Sequence, residues 1–415
     1  MDSNSDPLAP FRERFFHSGE NLIYLDGNSL GRLPLQSREL IADTVDRQWG
    51  ERLIRSWNEE WIGLSERIGA KIARLVGAQP DEVILTDSTS LNLFKLATAV
   101  LRSLPDRRTM VTDDLNFPSD LYILQGLADL FGNRHEIRLA RSHDGISVSE
   151  ESLKKLILHD TALVTLTHVC FKSSFMYDMK RITSMAHEAG ALMLWDLSHA
   201  AGAVPIDLNN SGADLAVGCT YKYLNGGPGS IAFLYVRKDL QNKLINPVWA
   251  WFADANPFEF RLDFTPAAGI RSFQGSTLPV LSAKPVELGV DMLLEAGMEA
   301  IRNKSLGLSR LFLELFDRDL EPRGFTLGSP RDESCRGSHL SIRHPEGYRI
   351  CQALIHPRGD APVIIPDFRL PDNVRIGFAP LYNTYEEVIR TVERIVEIID
   401  QRIYLEYSSE RDAVT

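Results

Sequence analysis

Cysteine is scarce. Only Cys170, Cys219, Cys335 and Cys351 occur among 415 residues, with no CxxC pair and no metal-like spacing. That excludes a disulfide-stapled scaffold and the common zinc modules, and reads as the reduced thiols of a cytoplasmic protein. No apolar run approaches the roughly 18 residues of a membrane span. The opening MDSNSDPLAPFRERFF has neither the basic start nor the apolar centre of a secretory signal. A soluble, cytoplasmic protein without a membrane partner is expected. Positive charge is in deficit: 45 Lys and Arg stand against 56 Asp and Glu, a net −11. Nucleic acid is therefore a poor principal partner, although a local basic pocket for a small anion fits the same balance. Internal repeats and low-complexity segments are absent. What is present is a globular mix, 44% hydrophobic and 24% charged. The length suits two or three domains or one large α/β unit.

Short apolar runs alternate with helical spacing along the chain. Strands are expected at Asn21–Leu25, Glu82–Thr86, Thr109–Thr112, Ala162–His168, Ala191–Trp195, Ala213–Gly218 and Ile231–Val236. Helices are expected from Pro34 to Trp49, Trp61 to Val76, Leu91 to Leu101, Ser119 to Phe131 and Met179 to Ala189. One or two long helices follow from Pro279 to about Leu320, and a last one from Tyr385 to Tyr404. The stretches 322–332 and 357–373 read as loops, the first ten residues as a flexible arm, and the tail SSERDAVT as frayed. The alternation argues an α/β fold with a mainly parallel central sheet, where ligands bind beyond the carboxyl ends of the strands.

Ser88, Phe117, Asp196 and Lys222 all fall at or just beyond such ends. A lysine beside the glycine run Asn225-Gly226-Gly227-Pro228-Gly229 and an aspartate at a strand end are the two handles that pyridoxal 5'-phosphate requires. The lysine bonds to the cofactor's aldehyde, and the carboxylate pairs with its ring nitrogen. Singly, each reads as a surface lysine or a helix cap; together they favour the cofactor. Ser88 and Thr89, at a helix start, offer hydroxyl and N–H donors to a phosphate, or form an ordinary N-cap. Tyr221 adds a phenol or packs. Phe117, stiffened by Pro118, stacks on a flat ring or joins the core. Asp120 contacts the cofactor or caps its helix, and His199 lies against the ring or fills a polar corner. Arg375, in an apolar setting, matches either a substrate carboxylate or an internal Asp or Glu.

Five segments make a pattern. They are Tyr24-Leu25-Asp26-Gly27-Asn28-Ser29-Leu30-Gly31, Asn116 through Asp120, Asp196 through Gly202, Tyr221 through Gly229, and Arg375 through Asn383. The chain resembles kynureninase, a pyridoxal-phosphate enzyme of the aspartate-aminotransferase fold, over about residues 20 to 400. The resemblance implies a large cofactor-binding domain over 61–296, a small α/β domain over 297–415, and an N-terminal arm over 1–60 that joins the small domain in part. It implies that Lys222 holds the cofactor and moves protons, with Tyr221 as partner. Asp196 pairs with the ring nitrogen, Phe117 stacks, and Ser88, Thr89 and Tyr221 bind phosphate. Asp120 and His199 contact the cofactor, and Arg375 takes the substrate α-carboxylate. Ser29 and Trp49 lie near the substrate's aromatic ring. Trp251 and Thr277 reach the phosphate across a homodimer interface. The implied activity, in tryptophan catabolism through the kynurenine pathway, is hydrolysis of the Cβ–Cγ bond of L-kynurenine or 3-hydroxykynurenine to L-alanine and an anthranilate.

Three segments depart from the family pattern. His168-Val169-Cys170-Phe171-Lys172-Ser173-Ser174 stands where relatives read near HVNYRTG. Ala250-Trp251-Phe252-Ala253-Asp254 stands for a pattern near GWFGH, and Gly275-Ser276-Thr277-Leu278-Pro279 for GTPP. Drift in loops is one reading. The other is a changed substrate, such as a ring-substituted kynurenine, or a changed reaction, a lyase of β-elimination or desulfurase type acting on a different β-substituted amino acid. A desulfurase would use Cys170, the one cysteine in a loop beside the expected site.

Overall fold

A computed structural model describes residues 6–19 and 21–411. The strands are β1 Leu22–Tyr24, β2 Val83–Leu85, β3 Thr109–Asp113, β4 Glu136–Ala140, β5 Thr161–Thr167, β6 Leu192–Asp196, β7 Leu215–Gly218 and β8 Phe233–Val236. They continue with β9 Thr326–Leu327, β10 His339–Arg343, β11 Val363–Ile365, β12 Asp367–Arg369 and β13 Asn373–Gly377. A seven-stranded sheet runs in the order β2-β8-β7-β6-β5-β3-β4. Its pairs from β4 to β7 are parallel, and β8 then pairs antiparallel with both β7 and the edge strand β2. Strands β5, β6 and β7 are buried along their whole length save Leu192. That is the reason they read as continuous apolar runs. Helices Leu64–Val76, Thr89–Ser103, Met179–Glu188 and Val280–Ala296 sandwich this sheet.

A second, antiparallel sheet, β12-β13-β10-β9, lies in the C-terminal part. One face carries Leu340, Ile342, Phe368, Val374 and Ile376 into a separate apolar core with the helices Met298–Leu315 and Tyr385–Asp400. Ile23 and Leu25 of the N-terminal segment belong to this core. β1 reaches it by pairing in parallel with β11.

Several expectations need correction. The stretch 357–373 is not a loop: it holds β11, β12 and the first residue of β13. Within 322–332, Thr326 and Leu327 form β9. The helix from Pro34 is α-helical only over Gln36–Asp43 and then widens into a π-helical segment, Thr44–Arg52. There Thr44 Oγ1 donates to the carbonyl of Leu40 at 2.7 Å, a back-bond that loosens helices. The next helix starts at Leu64 rather than Trp61. The final helix stops at Asp400, followed by a 3-10 turn at Ile403–Glu406. Residues 6–10 are no flexible arm: Leu8 is buried and Asp6 pairs with Lys304 at 2.8 Å. Residues 1–5 and 412–415, parts of the expected arm and tail, lie outside the described residues. β4 and the helix Glu150–Leu156 had no counterpart in the sequence reading. Among the described residues, no helix is long and apolar enough to cross a membrane.

Candidate active site

The carboxyl ends of β3, β6 and β7 converge as the parallel topology requires. β6 delivers Asp196, whose Oδ1 accepts from Ser198 N at 2.8 Å and Ser198 Oγ at 2.6 Å. Its Oδ2 has no hydrogen-bond partner among the described residues. The turn beyond brings His199, and the loop after β7 brings Lys222; His199 Nε2 and Lys222 Nζ are 2.8 Å apart. Burial holds the His199 imidazole well below its ordinary pKa, assisted by the charges of Lys222 and Arg375. The ring is therefore neutral and accepts the lysine's N–H. Asp120, in the first turn of the helix Pro118–Leu130, is buried and its Oδ2 lacks a partner. Burial, then the Asp196 charge, pushes its pKa well up. Burial also raises Asp196, against its hydrogen bonds to Ser198 and the charge of Lys222.

Phe117 caps this helix, with Pro118 at its first position. Lys222 Nζ lies 5.9 Å from the centre of the Phe117 ring and 5.8 Å from that of Tyr221. Phe117 is 42% exposed, so it is no core residue. The Tyr221 phenol is held protonated, its pKa raised first by neighbouring Cys219 and then by burial. Ser88 caps the helix Thr89–Ser103, its hydroxyl accepting from Leu91 N at 3.3 Å. Ser88 and Thr277 of the same chain line one cavity of about 340 Å3 with Thr86, Gly229 and Gly275. A larger cavity, about 530 Å3, lies beside Phe252, Phe258 and Arg271 and includes none of the Lys222 cluster.

The second sheet closes the site. Opposed residues of an antiparallel pair share a face, and alternate residues of a strand do too. With Ser341 opposite Arg375, Asp367 opposite Arg375, and His339 opposite Gly377, one polar face holds His339, Ser341, Arg343, Asn373, Arg375, Asp367 and Arg369. It is the reverse of the apolar face that forms the second core. Arg375 is fully buried. Its Nη2 donates to Asp367 Oδ2 at 2.5 Å and to Ser29 Oγ at 2.8 Å, and its Nη1 to the carbonyl of Phe171 at 2.5 Å. Among the described residues its Nε has no partner. The internal salt bridge that the sequence left open is thus present. It leaves one buried donor free.

The Asp26–Gly31 turn joins the two sheets. Gly31 N donates to the Tyr221 carbonyl at 2.8 Å. A Cβ at Gly31 would come 2.4 Å from the Lys222 carbonyl oxygen, so only glycine permits this approach to the lysine loop. At Gly377 a Cβ would collide with Asn28. Ser29 donates to Asp367 Oδ2 at 2.9 Å. Asp26 Oδ1 lies 4.0 Å from Arg375 Nη2. Burial, then the Asp367 charge, pushes the Asp26 carboxyl up from 3.8 to about 7. Between about pH 4 and pH 7 the folded chain therefore keeps a proton that the unfolded chain releases. Raising pH across that window costs stability. Denaturant midpoints of the wild type are expected to fall there, and Asp26→Asn to flatten the slope; equal slopes would contradict this reading.

Not every expected residue joins the cluster. Trp49 is exposed on the π-helical segment, with no hydrogen bond or ring contact to the cluster among the described residues. Trp251 is partly exposed and packs on Phe252, Phe258 and Phe260. Sequence reasoning missed His339 and Asp367. The alternation His339-Leu340-Ser341-Ile342-Arg343, polar on every second residue, was the available signal.

The departing segments have structural occupations. Cys170 is buried, and burial next to Asp113 pushes its thiol pKa far up. It is thus neither the mobile nor the ionised cysteine of a desulfurase. Ser174 adopts φ +65°, and its hydroxyl accepts from His339 N at 3.4 Å. Asp254 accepts from Thr265 N and Asn256 N, each at 2.8 Å, and from Arg261 at 3.0 Å, tying off its loop.

The residues present fit pyridoxal phosphate. Asp120 Oδ2 and His199 Nδ1 are buried without partners among the described residues, and the Lys222 amine lies 2.8 Å from His199 and 5.9 Å from the centre of the exposed Phe117 ring. Comparisons with known proteins agree. Residues 48–347 match the aminotransferase class-V family and residues 301–395 the kynureninase C-terminal domain. A kynureninase of Pseudomonas fluorescens is 45% identical over 404 residues, covering 96% of this chain and 94% of its own. One of Burkholderia mallei (strain SAVP1) is 44% identical, covering 95% and 93%. Among solved structures, the apo cysteine desulfurase of Thermococcus onnurineus NA1 superposes with a TM-score of 0.78 at 19% identity, covering 92% of this chain and 95% of its own. A C-DES mutant with glycine covalently linked to its PLP cofactor superposes at 0.77 and 17% identity, covering 91% and 97%. At such identities these two share the fold.

Proposed function

The chain belongs to the kynureninase family, and on that footing we propose that it hydrolyses the Cβ–Cγ bond of L-kynurenine or 3-hydroxykynurenine, with pyridoxal phosphate as cofactor. Water is consumed; L-alanine and anthranilate or 3-hydroxyanthranilate are released. The observation that carries this reading is the meeting of Lys222, Asp196, Asp120 and His199 with Arg375, in a chain alike to kynureninases over nearly its whole length.

When bound, the cofactor supplies an electron-withdrawing ring that stabilises negative charge at the substrate's α- and β-carbons. The protein does the rest. Asp196 Oδ2 is free to face the ring nitrogen, and Asp120 contacts the cofactor. Phe117 covers the ring. Ser88, Thr89 and the helix that they open hold the phosphate with N–H and hydroxyl donors. Arg375, steadied by Asp367, Ser29 and the Phe171 carbonyl, turns its free Nε–H to the substrate carboxylate. Lys222 Nζ takes the α-proton, its orientation set by the neutral His199. Tyr221, kept protonated, is the proton donor nearest the lysine loop for the carbanion left by C–C cleavage.

The finer reading is a cytoplasmic homodimer with shared sites, acting in tryptophan breakdown. Ser88, Phe117, Thr277, Trp251 and Trp49 are all solvent-facing in the single chain, as residues completed by a second copy would be. The test is direct. Purified, cofactor-loaded protein is given L-kynurenine and 3-hydroxykynurenine in parallel, and alanine and both aromatic acids are quantified. Stoichiometric alanine and one aromatic acid at an ordinary enzyme rate are expected. Trace turnover of both would redirect attention to other β-substituted amino acids.

A further inference from the structure

His339 stands at the junction of the two sheets and has no role in the account so far. It begins β10, opposite Gly377, on the polar face that carries Arg375. Its ring centre lies 5.7 Å from that of His199, whose Nε2 meets the Lys222 amine. It is 1% exposed, and among the described residues neither ring nitrogen has a hydrogen-bond partner. The Phe171 carbonyl, which accepts from Arg375 Nη1, also faces the ring and favours its protonated form, but makes no hydrogen bond to it that satisfies both distance and angle. Buried polar groups are seldom left unpaired without a reason. Burial, Arg375 and Lys222 all keep this imidazole neutral, so in either tautomer it carries one N–H and one lone pair.

The substrate offers a partner. Its α-carboxylate goes to Arg375 and its α-carbon to Lys222. The group that remains to be matched is the γ-carbonyl, two carbons further along. We infer that His339 is a substrate-contacting residue whose N–H donates to the γ-carbonyl oxygen. This rests on the kynurenine-hydrolase reading above. In the hydration step the water oxygen forms a bond to the γ-carbon and the carbonyl π pair moves onto its oxygen. Lys222, once it has given up the α-proton it took earlier, accepts one water proton, and the new oxyanion is held by the His339 N–H. A fixed, neutral, buried donor suits charge that develops only during the reaction.

The product L-alanine separates this role from mere packing, since it has the carboxylate and the α-proton but no acyl group. Cofactor-loaded wild type and His339→Phe are compared in two assays. One is kynurenine hydrolysis; the other is exchange of the alanine α-proton in deuterium oxide, read by proton NMR. His339→Phe is expected to lose about 10²–10³-fold in hydrolysis, the usual cost of one oxyanion donor, while exchange stays near the wild-type rate. His339→Gln, which keeps an N–H donor, is expected to recover much of the hydrolysis and retains the comparison should the phenylalanine variant fold poorly. Wild-type hydrolysis by folded His339→Phe would overturn the proposal. So would parallel loss of hydrolysis and exchange in folded variants. Wild type that exchanges alanine but leaves kynurenine intact would instead overturn the functional reading, and this proposal with it.

Discussion

Lys222→Ala is expected to lower kynurenine hydrolysis by at least about 10⁴-fold, the upper range for a positioned acid–base group, and to abolish the absorbance of covalently held cofactor. On the proposed mechanism two functions would disappear together: the covalent tether and the base at the α-carbon. The fold should survive, because the amine's one protein hydrogen bond is to His199. The electrostatics should change in a defined direction. Lys222 holds down the pKa values of both Asp120 and Asp196. Without the Lys222 charge the two buried carboxyls are expected to bind protons more tightly, which would weaken Asp196 as the proposed partner of the ring nitrogen. Added primary amines restore no proper geometry and are expected to recover little. A variant that keeps a tenth of wild-type turnover would place the chemistry elsewhere.

Arg375→Met carries the second large effect, and it falls on two observables. The guanidinium is buried against Asp367, Ser29 and the Phe171 carbonyl. Its removal leaves Asp367 buried, with Arg369 as its remaining cation. Breaking such a pair typically costs about 3–5 kcal/mol of stability. Losing the carboxylate's anchor is expected to reduce kcat/KM by about 10³-fold or more, with a large part in KM, as for binding shared by ground and transition states. The double variant Arg375→Met/Asp367→Asn separates the two. Neutralising the orphaned carboxylate should restore much of the stability and none of the activity. If activity returned as well, Arg375 would be a structural residue, and the internal salt bridge would be its whole role.

The legibility of the molecule followed the range of its interactions. β5, β6 and β7 were plain because each is buried on both faces and each ends in a helix start or a polar turn. Asp196 and Lys222 were singled out because the carboxyl ends of parallel strands collect ligand-binding residues. β11 and β12 were invisible as strands. They are three residues each, interrupted by Pro366, and β11 gains its partner from Leu22–Tyr24, far back in the chain. His339 and Asp367 escaped for a related reason. Their side chains meet Arg375 and His199 only once the antiparallel register of the second sheet decides which residues share a face. The widened turn at Thr44–Arg52 likewise arises from local side-chain bonds that helical spacing does not encode.

The segments that depart from the family pattern now have a physical reading. Cys170 is packed away and held as a thiol, Asp254 ties its own loop, and the backbone of Phe171 fixes Arg375. None of these removes a group that the hydrolysis needs. Ser276 and Thr277 remain at the mouth of the cavity shared with Ser88, where a change would tune cofactor or substrate fit rather than the type of reaction.

The central claim is that the cluster between the two sheets adds water across a carbon–carbon bond. Turnover of L-kynurenine in ¹⁸O-labelled water, with products read by mass spectrometry, tests it most directly. One labelled oxygen in the carboxyl group of anthranilate, with an equal amount of unlabelled L-alanine, is the expected result. Formation of pyruvate, or of an aromatic product without the label, would contradict it.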